Sequence, residues 1–307
     1  MRNQKNMTAG IYGKPPADVV ETPAGAVQFS PLLPGAPELE KQGEGSLAAM
    51  TMLAPPGTLE RRYTIALSLR ALAPGGILKA AAPKDQGGTR LRKELQAFGC
   101  TVEETARRHH RIAICKRPER LTGIDEAIAD GGPRQLADLG LWSQPGIFSW
   151  DRIDPGSALL LEHLPPLSGR GADFGCGFGV LAHGVLKSPK VAQLTLIDID
   201  RRAIQAAQHN IDDARVRFHW ADVRDPIPDL TQLDFVVMNA PFHDAGTEDR
   251  GLALNFVRRA AEVLRKDGVC WLTANRHLPY EAAMKPLFKR VTLKIESGGY
   301  KVYEAHT

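Results

Sequence analysis

From residue 151 onward, short apolar segments typical of β-strands alternate with segments that have helical periodicity. Such alternation predicts a mostly parallel sheet whose two faces are covered by helices. The last two strand-like segments follow each other directly, which favours an antiparallel edge. The second half of the chain is therefore expected to adopt an α/β fold.

The turn after the first strand of this region, Asp173-Phe-Gly-Cys-Gly-Phe-Gly179, has glycine at every second position. A Cβ at Gly175 or Gly177 would keep the backbone away from a ligand, and the next helix offers free N–H groups. Alone, this turn is compatible with a tight strand-to-helix connection as well as with a cofactor loop. Asp173, just before the glycines, can meet a positively charged amino-acid group.

Acidic residues follow the next two strands. Asp198 ends the second strand, where a carboxylate can accept hydrogen bonds from ribose hydroxyls of a nicotinamide cofactor or of S-adenosylmethionine. The glycine spacing and Asp173 favour S-adenosylmethionine. Asp200 is the alternative ribose ligand, but we expect it to cap the following helix. Asp222, after the third strand, is either an adenine contact or an ordinary loop residue.

The most specific motif is Asn239-Ala240-Pro241-Phe242, which follows the fourth strand. The Asn239 side-chain oxygen and the Ala240 carbonyl can accept two N–H bonds from one planar amine and aim its lone pair. Pro241 keeps Ala240 extended, and Phe242 offers a face on which a base can stack. An Asn-Pro turn beside a core phenylalanine is the alternative. His243, the next residue, is expected to be auxiliary.

The first half of the chain contains a weaker copy of the second. Met52-Leu-Ala-Pro-Pro56 resembles Met238-Asn-Ala-Pro-Phe242, and the segment 72–80 resembles 264–272. The copy lacks the glycine loop and has Leu53 in place of the asparagine, so we expect it to be catalytically silent. Chance similarity of two strand–helix units is the alternative.

Charge is distributed unevenly. Residues 1–135 carry 19 basic and 14 acidic side chains, whereas 136–307 carry 20 and 21. The densest basic run, Arg107–Arg111, is either a solvated surface or a patch that contacts nucleic-acid phosphates. Residues 1–45 are expected to be extended or irregular, and 118–150 to form a linker and a loop.

Together these motifs resemble the class I S-adenosylmethionine-dependent methyltransferases, and more narrowly the ribosomal-RNA guanine-N2 methyltransferases with a "methyltransferase small" domain. The glycine turn matches the cofactor loop of that family, Asp198 its ribose acid and Asp222 its adenine contact. Asn239–His243 matches its N-P-P-F-H motif, except that Ala240 replaces the first proline while keeping the backbone carbonyl. Pro145–Ser149 resembles a further stretch, in which Phe148 either covers the cofactor or simply packs.

The resemblance implies a doubly wound, mostly parallel, seven-stranded Rossmann-like sheet in a catalytic domain, 136–307. A smaller degenerate copy, 1–135, would precede it and help to hold RNA. The implied reaction is direct methyl transfer from S-adenosylmethionine to the exocyclic N2 of a guanine in ribosomal RNA, without a metal. The implied catalytic residues are Asn239, Ala240, Pro241 and Phe242, and the implied cofactor-binding residues are Asp173, Gly175, Gly177, Gly179, Asp198, Asp222 and Phe148.

Other functions stay open. The same motif can hold an adenine amine of nucleic acid or the amide of a protein glutamine, and the fold can serve as a non-catalytic RNA-binding or assembly module. A nicotinamide oxidoreductase is a more distant alternative. Four widely spaced cysteines and the lack of a long apolar run favour a cytoplasmic protein with no membrane span and no metal site. The family resemblance implies rRNA or the ribosomal subunit as the partner. The sequence does not determine the oligomeric state.

Overall fold

The computed structural model describes residues 8–239, 243–244, 247–248, 250–278 and 280–307. The chain divides into two compact units, Met1–Pro133 and Arg134–Thr307. The strands and α-helices described in the first unit are β1 (Thr8–Tyr12), β2 (Val27–Gln28), β3 (Leu47–Leu53), α1 (Thr58–Ala71), β4 (Leu72–Pro83), α2 (Leu91–Ala97), β5 (Val102–Arg107), β6 (His110–Lys116) and α3 (Ile124–Gly131).

The sheet of the first unit has the strand order β2-β1-β3-β4-β6-β5. The first four strands are parallel, and β6 and β5 complete the sheet as an antiparallel hairpin. Met50 and Met52 on β3 and Ile65 and Leu69 on α1 are fully buried in one apolar core. Burial of this apolar face is the main force that holds α1 against the sheet.

Two expectations for the first unit were incomplete. The segment 118–150, expected to be a linker and a loop, contains α3, whose Gly131 lies so close to α1 that a Cβ would come within 2.3 Å of Tyr63 Cβ. The segment 1–45 contains β1, an inner strand of the sheet. Both elements are short, and their placement depends on contacts with distant parts of the chain, which local patterns do not report.

The second unit contains a seven-stranded sheet with helices on both sides. Its described elements are β7 (Arg134–Gln135), β8 (Trp142–Ser143), α4 (Pro155–His163), β9 (Gly169–Phe174), α5 (Val180–Val185), β10 (Val191–Asp198), α6 (Arg201–Asn210), β11 (Val216–Trp220), β12 (Leu233–Asn239), β13 (His243–Asp244), β14 (Thr247–Glu248), α7 (Arg250–Val263), β15 (Leu264–Asn275), α8 (Tyr280–Met284), β16 (Arg290–Ser297) and β17 (Tyr300–His306).

The seven strands lie in the order β11-β10-β9-β12-β15-β17-β16. The first five are parallel, and β17 and β16 form the expected antiparallel edge. The doubly wound, mostly parallel, seven-stranded fold is thus confirmed. Because β10 and β12 flank β9 on opposite sides, the strand order reverses between β9 and β12. Ligands of open α/β sheets bind in the crevice at the carboxyl ends of strands at such a point.

The two sheets are copies of one topology. The order β2-β1-β3-β4-β6-β5 corresponds to β10-β9-β12-β15-β17-β16, so the first unit lacks only a counterpart of β11. A turn glycine recurs at the same place, because a Cβ at Gly76 would lie 2.8 Å from the carbonyl oxygen of Ala73 and one at Gly268 would lie 2.9 Å from that of Arg265, three residues earlier in each case. The expected smaller, degenerate copy is confirmed.

Candidate active site

The glycine turn after β9 has the backbone conformation that its sequence predicts. Gly175, Gly177 and Gly179 have φ angles of 71°, 53° and 95°, in the region that favours glycine. A Cβ on Gly177 would meet no described atom within 4 Å, so the backbone faces open space there. Gly179 is different, because its Cβ would lie 2.8 Å from Cδ1 of Ile211, which gives this glycine a packing role.

Asp173, on β9, is a buried carboxyl group that has no hydrogen-bond partner among the described residues. Its side chain is fully buried, and neither carboxylate oxygen has a hydrogen bond among the residues that the structure describes. Burial, with a smaller effect of the nearby Asp198 charge, raises the pKa of Asp173 to about 8. A buried carboxyl group without a partner is costly, and an ammonium group would supply the missing donors.

Asp198, at the end of β10, holds the glycine turn. Its Oδ2 accepts a hydrogen bond from Gly177 N at 2.9 Å, and its Oδ1 accepts one from Asp200 N at 2.8 Å. Burial raises the pKa of Asp198 to about 6, although these backbone donors oppose the shift. Asp200 caps α6 by accepting a hydrogen bond from Arg202 N at 2.9 Å, which confirms its expected role as a helix cap.

Asp222 follows β11 and is engaged by a neighbouring cation. Both of its carboxylate oxygens accept hydrogen bonds from the Arg224 guanidinium group, at 2.8 and 2.9 Å from Nε. The segment lies beside β10, because Ala221 N donates to Asp198 O at 3.0 Å. A carboxylate has further lone pairs that can accept an adenine amine, so the adenine contact stays a prediction.

Asn239 is the last residue of β12 and is partly buried. Its side-chain Nδ2 donates to Asp154 Oδ2 at 2.8 Å and to Ser157 Oγ at 2.9 Å. Sequence reasoning missed both partners, although an acidic residue before a proline at the start of a helix is a recognisable cap. The motif residues Ala240, Pro241 and Phe242 lie outside the described residues, as does the side chain of His243.

The glycine turn and Asn239 lie together. Strands β9 and β12 are hydrogen-bonded neighbours, with Phe174 paired to Met238. A small cavity is lined by Gly175, Gly177 and Asn239, together with Asp154 and Phe148. Phe148 is 66% exposed, so it has no core-packing role and is available to cover a ligand.

A larger cavity of about 570 Å³ lies elsewhere in the second unit. It is lined mainly by apolar side chains near α4 and α5, such as Leu161 and Val185, and none of the described candidate site residues lines it. Size alone is therefore a poor guide to the site in this protein. The chemistry-bearing groups converge on the smaller cavity, at the point where the strand order reverses.

The donor and acceptor groups of this site fit S-adenosylmethionine. The buried carboxyl group of Asp173 suits the ammonium of its amino-acid part, and the open face at Gly177 leaves room for a ligand against the backbone. Within the described part of the chain, no group of three or more His, Cys, Asp or Glu side chains is arranged to hold a metal ion. No described helix has both the length and the apolar character needed to cross a bilayer.

Comparisons with known proteins are consistent with this site. Residues 138–304 match the family model of the methyltransferase small domain. The ribosomal RNA small subunit methyltransferase C of Shewanella oneidensis is 37% identical over 249 residues, covering 78% of this chain and 72% of that protein. The protein of the same name from Shewanella sediminis is 40% identical over 162 residues, covering 52% of this chain and 46% of that protein.

A solved structure resembles the chain over nearly its whole length. The 16S rRNA N2 G1207 methyltransferase of T. thermophilus, in complex with AdoMet and guanosine, matches with a TM-score of 0.77 and 22% sequence identity. The match covers 98% of this chain and 88% of that one. The two proteins therefore share the same overall architecture.

Proposed function

Because this chain belongs to the methyltransferase small domain family, we propose that it methylates the exocyclic N2 of a guanine in small-subunit ribosomal RNA. The curated relatives carry the name of a ribosomal RNA small subunit methyltransferase. One observation carries the proposal for this chain: the glycine turn after β9 and the side chain of Asn239 line the same cavity. A methyl donor and an amine acceptor can therefore meet there.

The second unit would bind S-adenosylmethionine through groups that surround the glycine turn. Asp173 would accept from the ammonium group, Asp198 from the ribose hydroxyls and Asp222 from the adenine amine, with Phe148 as a cover. When bound, the cofactor supplies an electrophilic methyl group on a positively charged sulfur. Holding the amine nitrogen, the methyl carbon and the sulfur in line would provide most of the rate acceleration.

Asn239 would prepare the amine for attack. The lone pair of a guanine N2 amine is delocalised into the ring, so the free amine is a poor nucleophile. The Asn239 side-chain oxygen and the Ala240 carbonyl would each accept one N–H bond and draw the nitrogen toward a tetrahedral shape. The lone pair would then form the new N–C bond as the methyl–sulfur bond breaks and its electron pair returns to the sulfur. The two acceptors would stabilise the positive charge on the nitrogen until its extra proton leaves to water. Phe242 would stack on a base that has left its helical stack.

The first unit would hold RNA at the carboxyl ends of its parallel strands, which we call the basic edge. Lys84 N, in the residue directly after β4, donates to His109 O at 2.9 Å, so the basic hairpin turn 108–109 lies beside the loop that follows β4. A cavity of about 400 Å³ at this edge is lined by Thr58, Lys84 and Arg90, among other residues. The position resembles a ligand crevice, since it lies at the carboxyl ends of parallel strands.

Unpaired basic groups at this edge suit RNA phosphates. Arg108 pairs with Asp18, but Lys84, Arg90 and Arg107 have no ion pair among the described side chains. All three are exposed. Cations in this state can neutralise phosphates and release counterions, which is the main source of sequence-independent affinity.

We place the protein in the cytoplasm, where ribosomal RNA is modified.

The decisive experiment maps modified nucleotides in ribosomal RNA from cells with and without this protein. We expect one N2-methylated guanine in the small-subunit RNA to disappear without it, to return with the wild-type gene and to stay absent with Asn239→Ala. Loss of a methylated adenine, or of a methylated protein glutamine, would instead identify another acceptor. An unchanged methylation pattern would overturn the enzymatic proposal and favour a binding or assembly role.

A further inference from the structure

The side-chain amide of Asn239 is held at its nitrogen by two neighbouring groups. An amide nitrogen has two hydrogens, and both are used, one by Asp154 Oδ2 at 2.8 Å and one by Ser157 Oγ at 2.9 Å. The amide oxygen Oδ1 is the atom that remains for a substrate amine. Because the proposed reaction needs an acceptor at this point, the orientation of the amide decides whether Asn239 can act.

The two partners do not contribute equally to that orientation. A serine hydroxyl can donate or accept, so Ser157 is compatible with either orientation of the amide. An ionised carboxylate can only accept, and a reversed amide would bring its oxygen against the carboxylate oxygen of Asp154. Asp154 is thus the group that makes one orientation of Asn239 favourable and the other unfavourable.

Asp154 is itself fixed by the start of α4. It is the N-cap residue, its Oδ2 accepts from Ser157 N at 3.0 Å, and its side chain is 8% exposed. Tyr300 OH lies 3.5 Å from the other carboxylate oxygen. A Cβ on Gly156 would lie 2.6 Å from the Tyr300 ring and 3.0 Å from Asp154 Oδ2, so glycine is required for this close packing.

We propose that Asp154 is a positioning residue for methyl transfer, which holds the Asn239 amide with its oxygen toward the substrate amine. This inference rests on the proposed role of Asn239. The negative charge of Asp154 also acts through the Asn239 amide. A carboxylate next to the NH2 group increases the partial negative charge on the amide oxygen, which then interacts more strongly with the positive charge that develops on the substrate amine. In this role Asp154 acts through Asn239.

Three substitutions separate positioning from simple helix capping. Asp154→Asn keeps an oxygen for both the cap and Asn239 but removes the charge. Asp154→Ser also keeps a good cap, yet its shorter side chain withdraws the acceptor from Asn239. Asp154→Ala removes the cap and the acceptor. If Asp154 only caps α4, the Asn and Ser variants behave like the wild type and only the Ala variant is impaired.

If Asp154 positions Asn239, the three Asp154 variants are expected to follow a different order of activity. We expect Asp154→Ser to lower kcat about tenfold, close to the effect of Asp154→Ala, with Asp154→Asn in between. We expect the KM for small-subunit RNA and the Kd for S-adenosylmethionine to stay within about twofold, since in this role Asp154 acts through Asn239. Tyr300→Phe is the matched control, because it removes a neighbour of Asp154 without touching Asn239; its kcat stays near the wild-type value.

A structural measurement accompanies the kinetics. The side-chain NH2 signals of Asn239, assigned by their loss in Asn239→Ala, are protected from hydrogen exchange in the wild type and lose that protection in Asp154→Ser. Wild-type kcat and wild-type exchange in Asp154→Ser would overturn the inference while leaving Asn239 in its proposed role. Full turnover of Asn239→Ala would instead overturn the proposed role of Asn239.

Discussion

Leu53 and Asn239 occupy the same register position in two sheets of the same topology. Leu53 pairs with Ala81 at the ends of β3 and β4, and Asn239 pairs with Thr273 at the ends of β12 and β15. Both strand pairs also begin on a leucine–leucine pair and shift register within the next two residues. The proposed catalytic position of the second unit is therefore apolar in the first.

The same comparison of strand positions applies to the proposed cofactor-binding residues. Met52 pairs with Tyr12 and Met238 pairs with Phe174, so Ile11 stands in the first unit where Asp173 stands in the second. Gly13 then corresponds to Gly175, and the two have similar φ angles of 73° and 71°. The next residues of the first unit are Lys14-Pro15-Pro16, and a proline cannot adopt the positive φ of a glycine turn.

We therefore expect the whole chain to bind one S-adenosylmethionine, in the second unit alone. Gly177→Val should abolish all binding, because its branched side chain enters the open face of the turn and its backbone disfavours positive φ. Isothermal titration of the full chain measures the stoichiometry. Two sites per chain, or binding that survives Gly177→Val, would show that the first unit has kept a cofactor site.

Asp173 should link cofactor binding to proton release. Its carboxyl group has a folded-state pKa of about 8, far above that of an unfolded chain, so the free protein keeps a proton there at pH 7. The cofactor's ammonium group favours the ionised form, so binding expels this proton and affinity rises with pH up to about 8. Titrations at pH 7 in two buffers of different ionisation enthalpy should reveal release of about one proton. A heat that does not depend on the buffer would contradict this linkage.

The same carboxyl group should make the free protein less stable at alkaline pH. Between about pH 4 and 8 the folded state binds a proton that the unfolded state lacks, so the free energy of unfolding falls as pH rises. Asp173→Asn removes this loss and stabilises the free protein by about 1–3 kcal/mol at pH 9, while it weakens cofactor binding. Denaturant unfolding of both proteins at pH 6 and pH 9 tests the expectation. An equal effect at both pH values would assign the change to packing rather than to charge.

The sequence predicts most of the second unit because its signals are local. The expected alternation of strands and helices from residue 151 onward is present in the structure. In α6, for example, the capping residue Asp200 and the apolar residues at helical spacing are both visible in the sequence. Asp198 and Asn239 were found from their places at strand ends, which parallel topology brings to one edge of the sheet. Whether they bind as expected stays a prediction.

The parts that were missed depend on distant contacts. The hydrogen bond between Asn239 and Asp154 joins residues 85 positions apart. Whether the described residues supply a hydrogen-bond partner for Asp173 depends on which distant groups the fold packs around it. Neither fact has a signature in the local sequence. The internal copy was visible from Met52–Pro56 and from the segment 72–80, but the inner strand β1 was not, because its five residues carry little hydrophobic periodicity.

Charge reversal at the basic edge of the first unit should weaken RNA binding. Lys84→Glu and Arg107→Glu should each lower affinity for small-subunit RNA about three- to tenfold and make it less dependent on salt. The Kd for S-adenosylmethionine should not change. Lys116→Glu is the matched control, because this exposed lysine pairs with Ile77 near the other end of β4. Equal losses in all three variants would indicate a general charge effect instead of a binding edge.

The hairpin turn at this edge has charged residues at positions where its backbone favours Asn-Gly, and replacing the turn residues tests the effect on stability and on RNA binding separately. Arg108 and His109 both have positive φ, at 46° and 60°, as a two-residue type I′ turn requires, whereas such turns favour Asn-Gly. Left-handed backbone costs an ordinary residue about 1 kcal/mol, and the exposed ion pair of Arg108 with Asp18 offsets little of it. Arg108→Asn with His109→Gly should therefore raise the free energy of unfolding by about 1–2 kcal/mol and weaken RNA binding. Unchanged stability would contradict the strain, and unchanged RNA affinity would remove this turn from the binding edge.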